Sequence, residues 1–496
     1  MSHAEHPLVV IGDSLSQGFM HGAVTHTGHS FGAMIATALG VEARFQAPSF
    51  EGAGGLPVNI EALLREMSRH FGESVSWYEF VPMLTATRGL MAHTEDYWER
   101  GPGSRPGVAE QFHNLSVWGF GVRDTYSLNG RVCRNVIGEP KDNFTAQVPE
   151  HAMYRTAARV LNPSADPKYD GLTVLDTAQQ MGNAGGIERL VVALGANNAL
   201  GTVLSLKVKW SEDADLHRLP FERDANLFRA EHFEILYGQL EERIERIGAE
   251  NVFVATVPHV TVPPVTRGVS PGGTEWNPDH EVLSQGGSTA RRYYEYYTRP
   301  WIWDDLFNPK KHDFLTRAEA IEIDTTIDAY NEVVREAAAR RGWHVVDMCG
   351  MLDDLAYRSS GGHPACGCPA GLVNAVAANP YTRYLVEDGR LMLDTRFIKA
   401  SRYGGSRSGI QRIERGGIFG LDGIHPGVIG TSLVADLFLE SMKGAGAAPA
   451  DVELEWDDIV DADRLVVDPP ALLVDLQKCL AGLERHWGLS DILKLF

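Results

Sequence analysis

Short, mostly apolar runs recur along the chain, each followed within a few residues by glycine, proline or a polar turn. Residues 8–12 (LVVIG), 190–194 (LVVAL), 252–257 (VFVATV) and 343–347 (WHVVD) are too short for helices. Such runs read as strands covered on both faces, the pattern of a parallel sheet. Residues 112–118 (FHNLSVW) form a weaker strand candidate. Helical spacing appears between the runs. Phe233, Leu236, Leu240, Ile244 and Ile247 share one face, and Gly248 stops that helix just before the next strand. Thr316 and Glu319 make a capping-box pattern ahead of Ile323, Ile327, Tyr330 and Val334, and Gly342 ends that second helix. Strand–helix–strand alternation predicts an α/β protein with helices on both faces of a parallel sheet.

The remaining sequence is inserted between these elements. Residues 41–111, 201–230, 258–315 and 349–420 are long and rich in Gly, Pro and aromatics. Structureless loops of that length are uncommon in compact domains, so these insertions are expected to fold, as a cap over the sheet's carboxyl edge. The aromatic stretch 291–307 (RRYYEYYTRPWIWDDLF) is the densest part of this cap, and Trp301 and Trp303 are its candidate substrate-binding residues. The alternative is that these rings form the insertion's own small core. Residues 1–444 then make one domain. GAGAAPAD, from residue 444, reads as a linker, and 445–496 as a C-terminal extension. Leu472, Leu473, Leu476, Leu480 and Leu483 predict a helix in it that docks on the main body.

Charge narrows the partners. The chain has 496 residues with 45 Lys and Arg against 65 Asp and Glu, a net charge of −20, which disfavours nucleic-acid and anionic-membrane surfaces. No apolar stretch is long enough to span a bilayer, and the start MSHAEHPLVVIGDSL carries no secretory signal, so a cytoplasmic location is expected if that start is natural. Five cysteines, at 133, 349, 366, 368 and 479, suit a reducing compartment better than a disulfide framework. His363, Cys366 and Cys368 stand close together in GGHPACGCPAG, but a structural zinc site needs four ligands and no second pair is near. A Gly/Pro-rich loop is the expected reading, and no metal site is expected.

Chemistry gathers where the strands end. VVIGDSLSQGF (9–19) runs from the first strand into Ser14, at the sheet edge where open α/β folds bind ligands. NLSVWGFG places Gly119 after the weaker strand, and VVALGANNALG places Asn197 and Asn198 after a strong one. GIFGLDGIHPGVIG sets Asp422 three residues before His425, with Pro426 suited to the first position of the next helix. A short loop can fold the Asp422 carboxylate onto the His425 ring and leave the other ring nitrogen free, as in the acid–base half of a serine triad. Taken singly, Ser14 serves equally as a helix cap and Asn197 as a left-handed turn residue.

Gly12-Asp13-Ser14-Leu15, Gly119, Gly195-Ala196-Asn197-Asn198 and Asp422-x-x-His425, in that order, resemble the SGNH (GDSL) hydrolase superfamily. The family's third block usually ends in Asn-Asp, whereas here its last residue is Asn198. The resemblance implies a flavodoxin-like α/β/α sandwich with a sheet of about five strands, on the pattern of doubly wound folds. It implies Ser14 as nucleophile, His425 as base and Asp422 as its orienter. Ser14 N–H, Gly119 N–H and the Asn197 side chain would form the oxyanion hole, with Gly54 or Gly55 competing for the role of Gly119. Leu15 and Asn198 fall beside the substrate. The implied activity is that of a carboxylic-ester hydrolase, an esterase or lipase acting on a small-molecule ester without metal or organic cofactor. An acyltransferase using the same acyl-enzyme, or a retired binding protein on the same fold, are the alternatives.

Overall fold

The computed structural model describes residues 4–72, 80–139, 148–269, 281–283, 290–302, 304–356, 367–404 and 410–475. Trp303, His363, Cys366, Leu476, Leu480 and Leu483 lie outside the described residues. At its centre four parallel strands lie side by side in chain order: β1 (Val9–Gly12), β2 (Arg189–Ala193), β3 (Asn251–Ala255) and β4 (His344–Val346). Val9 pairs with Leu190, Val191 with Phe253 and Val254 with Val345, so the carboxyl ends of all four reach one edge. Every residue of β1 and β2 is buried, as runs without a polar face require.

About five strands were expected and four form. The segment at 112–118 does run beside β1. Val10 N–H donates to the His113 carbonyl at 2.9 Å, Leu115 N–H to the Val10 carbonyl at 2.8 Å and Val117 N–H to the Gly12 carbonyl at 3.1 Å. Only one parallel bridge, Val10 with Asn114, results. Asn114 donates its side-chain amide to the Ser16 carbonyl, 98 positions away, and accepts the Ser116 N–H on its own oxygen.

Alternate strand residues face opposite helical layers. Ile11, Val192 and Val254 pack towards α3 (Val174–Gly185), α4 (Ala230–Ile247) and α5 (Arg317–Arg341). Val10, Val191 and Phe253 pack towards α2 (Phe31–Ala38) and α7 (Val428–Gly444), where the rings of Phe31 and Phe438 stack 5.0 Å apart. The expected helix signals act as read: Thr316 and Glu319 bond each other's backbone N–H, and Gly248 and Gly342 close α4 and α5 at φ +70°.

The insertions fold. Residues 41–111 contain helices Ile60–Phe71 and Phe80–Glu99, 258–315 contribute a small antiparallel sheet, and 349–420 carry helix Ala370–Ala378 and the hairpin Lys399–Tyr403/Ile410–Arg415. The C-terminal extension docks on the last of these, with Leu472 and Leu473 buried in one cluster with Leu391 and Ile413. It also completes α7. That helix starts two residues later than Pro426 suggested, with Gly427 as N-cap and no capping side chain of its own. Asp463, 34 residues beyond Ile429, accepts the Ile429 N–H at 2.9 Å while also capping the helix Arg464–Val467. Asp463→Ala leaves buried N–H groups unsatisfied at the start of α7 and is expected to lower stability by about 2 kcal/mol. Calorimetric unfolding measures this, and an unchanged melting temperature would refute the cap.

Candidate active site

Ser14 opens α1 (Ser14–Gln17), a single helical turn at the end of β1. The turn is tight because Gly12 allows it: a Cβ there would lie 1.9 Å from Ser16 Oγ and 2.8 Å from the Ala193 carbonyl of β2. Asp13 caps the turn by accepting the Leu15 N–H at 3.0 Å, and Gly18 closes it at φ +88°. Among the described residues the Ser14 N–H has no partner in the chain.

The histidine comes from the far end of the sequence. Asp422 Oδ1 accepts the backbone N–H groups of Ile424 (2.8 Å) and His425 (2.9 Å), folding the loop back on itself. Oδ2 accepts His425 Nδ1–H at 3.0 Å and the Gly22 N–H at 2.7 Å. Burial alone would raise the Asp422 pKa, but the His425 charge and these hydrogen bonds outweigh it and hold the carboxyl at about 2. An ionised carboxylate only accepts, so Nδ1 carries the proton, and whenever the ring is neutral its lone pair is on Nε2. Phe19 packs on the ring, centroids 4.4 Å apart, and His21 Nδ1 accepts the Leu421 N–H at 3.1 Å.

Ser14, Asn197 and His425 line one pocket, although 411 positions separate the serine from the histidine. No hydrogen bond joins Ser14 Oγ to the His425 ring, a contact that often tightens only when substrate is bound. Asn197 Nδ2 donates to the Phe120 carbonyl (2.9 Å) and to Asp13 Oδ2 (3.3 Å), which fixes its amide beside the Ser14 turn. Gly119 takes φ +79°, and its N–H has no partner among the described residues. Its loop is tied down on both sides: Trp118 N–H donates to Gln17 Oε1 at 2.9 Å and Val122 N–H to Asn198 Oδ1 at 3.2 Å. Gly54 and Gly55 spend their N–H groups on Glu51 and Gly52 in a turn away from this pocket. Of the other expected residues, Leu15 lines the pocket, whereas Asn198 is buried and holds loops together. Trp301 does not line it.

The pocket walls are elsewhere than the sequence suggested. They come from Pro258–Pro263 after β3, from α6 (Met348–Leu355) after β4, from Ile418 and Phe419, and from the first turns of α7. The signal was present, since both β3 and β4 end at the edge that carries Ser14. His259 is among these residues. Its Nδ1 lies 2.9 and 3.0 Å from the Asp353 oxygens and its Nε2 3.1 Å from Asp328. Burial works against the charged ring, but Asp324, Asp328 and Asp353 raise its pKa well above the ordinary value. Cys349 Sγ is 3.5 and 3.8 Å from the two ring nitrogens. His259, Cys349 and Asp353 bring one possible ligand atom each within 4.8 Å of one another, while both His259 nitrogens already face carboxylates.

A second Ser–His–Asp chain exists and does something else. Ser211 Oγ bonds His232 Nδ1 at 2.8 Å, and His232 Nε2 lies 3.2 Å from Asp213. Ser211 has no exposed surface, and its Oγ accepts the Arg229 N–H at the head of α4. That serine is a helix-end acceptor, out of reach of any substrate.

Asp13 provides a pH test of the site. Burial raises its carboxyl to about 6, against the Leu15 N–H and the His425 charge, which lower it. A raised folded pKa means that the stabilisation is complete below about 4 and is lost as pH rises through about 6, costing at most about 3 kcal/mol. Asp13→Asn cannot ionise, so its melting temperature relative to the parent should be higher at pH 8 than at pH 4. A difference independent of pH would show that Asp13 is not held in a desolvated site. The chain matches no protein-family model and no curated protein.

Proposed function

We propose that this chain is a serine esterase of the SGNH (GDSL) type, hydrolysing carboxylic esters through an acyl-enzyme on Ser14. The observation that carries the proposal is the convergence on one pocket of Ser14, Asn197 and a His425 whose Nδ1 is held by Asp422. The flavodoxin-like reading draws support from chain order. With the bridged segment at Asn114 counted, spatial order becomes second, first, third, fourth, fifth. Its switch point falls between β1 and β2, where Ser14 and Asn197 emerge.

In this reading His425 Nε2 takes the Ser14 Oγ proton as the oxygen attacks the ester carbonyl. The tetrahedral oxyanion is met by the unpartnered N–H groups of Ser14 and Gly119 and by the Asn197 amide, which exchanges its long bond to Asp13 for the developing charge. His425 then protonates the leaving alcohol, and water repeats the sequence to release the acid. Asp422 stays ionised throughout and stabilises the imidazolium.

Ser14→Ala and His425→Ala should each lower kcat by roughly 10⁴-fold or more, with Asp422→Ala retaining more activity. Asn197→Ala should cost roughly 10²–10³ in kcat with little change in KM, because its donor acts on charge present only in the transition state. Steady-state kinetics on p-nitrophenyl butyrate measures these effects, together with labelling of Ser14 by a small fluorophosphonate. Near-normal turnover by Ser14→Ala would sink the proposal.

A further inference from the structure

We infer that the pocket beside Ser14 is the acyl site, and that it takes an apolar acyl chain of short to medium length, lying along α6. The inference rests on the esterase reading and names its substrate class.

The shape of the pocket follows from two helices. Met348, Met351, Leu352 and Leu355 line it from α6 at spacings of three, four and seven residues, which is one helix face. Seven residues of helix rise about 10 Å, the length of an extended chain of roughly eight carbons. Leu433 and Val434 line it from α7, where Gly430 brings the backbone close: a Cβ there would lie 2.2 Å from the Ile418 carbonyl. The free space is about 60 Å³.

The lining chemistry selects what enters. Away from Ser14, Asn197 and His425, the ionisable side chain on the wall is His259, and both its ring nitrogens already face carboxylates. Away from those residues the wall offers water few hydrogen-bond partners. The leaving alcohol must depart and water must take its place during deacylation, so that position needs solvent. The part of the ester that remains covalently on Ser14 does not. The acyl chain is therefore the occupant, and the two methionines give the wall some adaptability.

The test varies acyl length at constant alcohol. From p-nitrophenyl acetate to octanoate, kcat/KM should rise about tenfold or more, and it should fall again at palmitate. Leu355→Trp, and separately Met351→Trp, should lower the octanoate-to-acetate ratio of kcat/KM by about tenfold. Calorimetric titration of octanoate into Ser14→Ala provides a readout without turnover, with binding weakened by either tryptophan. If a small fluorophosphonate labels Ser14 but neither tryptophan moves the ratio or the binding, the acyl site is overturned and the esterase reading stands. If Ser14 resists labelling while both tryptophans still weaken octanoate binding, the pocket stands and the nucleophile falls.

Discussion

One carboxylate holds the two ends of this chain together at the place where chemistry is proposed. Asp422 accepts four hydrogen bonds, from Gly22, Ile424 and the backbone and ring of His425, and so fills the acceptor sites of both oxygens. A buried charge is costly unless it is paired and bonded, and this one is both. The bond to Gly22 spans 400 positions. It ties the hairpin Phe19–Met20/Ala23–Val24, which follows the Ser14 turn, to the loop that carries His425, so Ser14 and His425 share one support. Removing this carboxylate disturbs the ring, the loop and the hairpin together.

Around that link the sheet edge dictates what each residue does. Parallel strands leave their carboxyl ends side by side, and tight turns are needed for β1 and β2 to end there without collision. Gly12 supplies one and Gly195, at φ +119° with Val257 2.6 Å from where a Cβ would stand, supplies the other. Asn198 then locks the second turn to the Gly119 loop and to Phe228, freeing Asn197 to face the nucleophile's turn. The C-terminal extension joins the same structure through Asp463, which caps the helix leading away from His425.

How much of this was legible depends on how local each signal is. The strands, α4, α5 and the pairing of Asp422 with His425 were readable, because an apolar run, a helical stripe or a three-residue spacing contains its own explanation. The start of α7 was misplaced by two residues because its cap comes from Asp463, far along the chain. The strand at 112–118 forms a single bridge, and Asn114 is spent on Ser16, a partner 98 positions away that no local signal marks. The pocket walls were sought in the aromatic stretch near Trp301, whose rings announce themselves by composition. They lie instead on α6 and after β3, where ordinary Met, Leu and Pro residues acquire a role only through their place at the sheet edge.

The three His–Asp pairings among the described residues, at His232, His259 and His425, show why residue types alone do not define a site. His232 lies between Ser211 and Asp213, but the serine is sealed beneath a helix end. His259 lies between Asp353 and Asp328, so both nitrogens are engaged and the carboxylates around the ring raise its pKa. His425 is bonded through Nδ1 alone, and Nε2 has no partner among the described residues. A histidine works as a base only with one nitrogen oriented and the other vacant beside a proton to take. Burial and partners set His425 apart, and Ser14 lies on the same pocket wall, the pairing on which the proposed covalent catalysis rests.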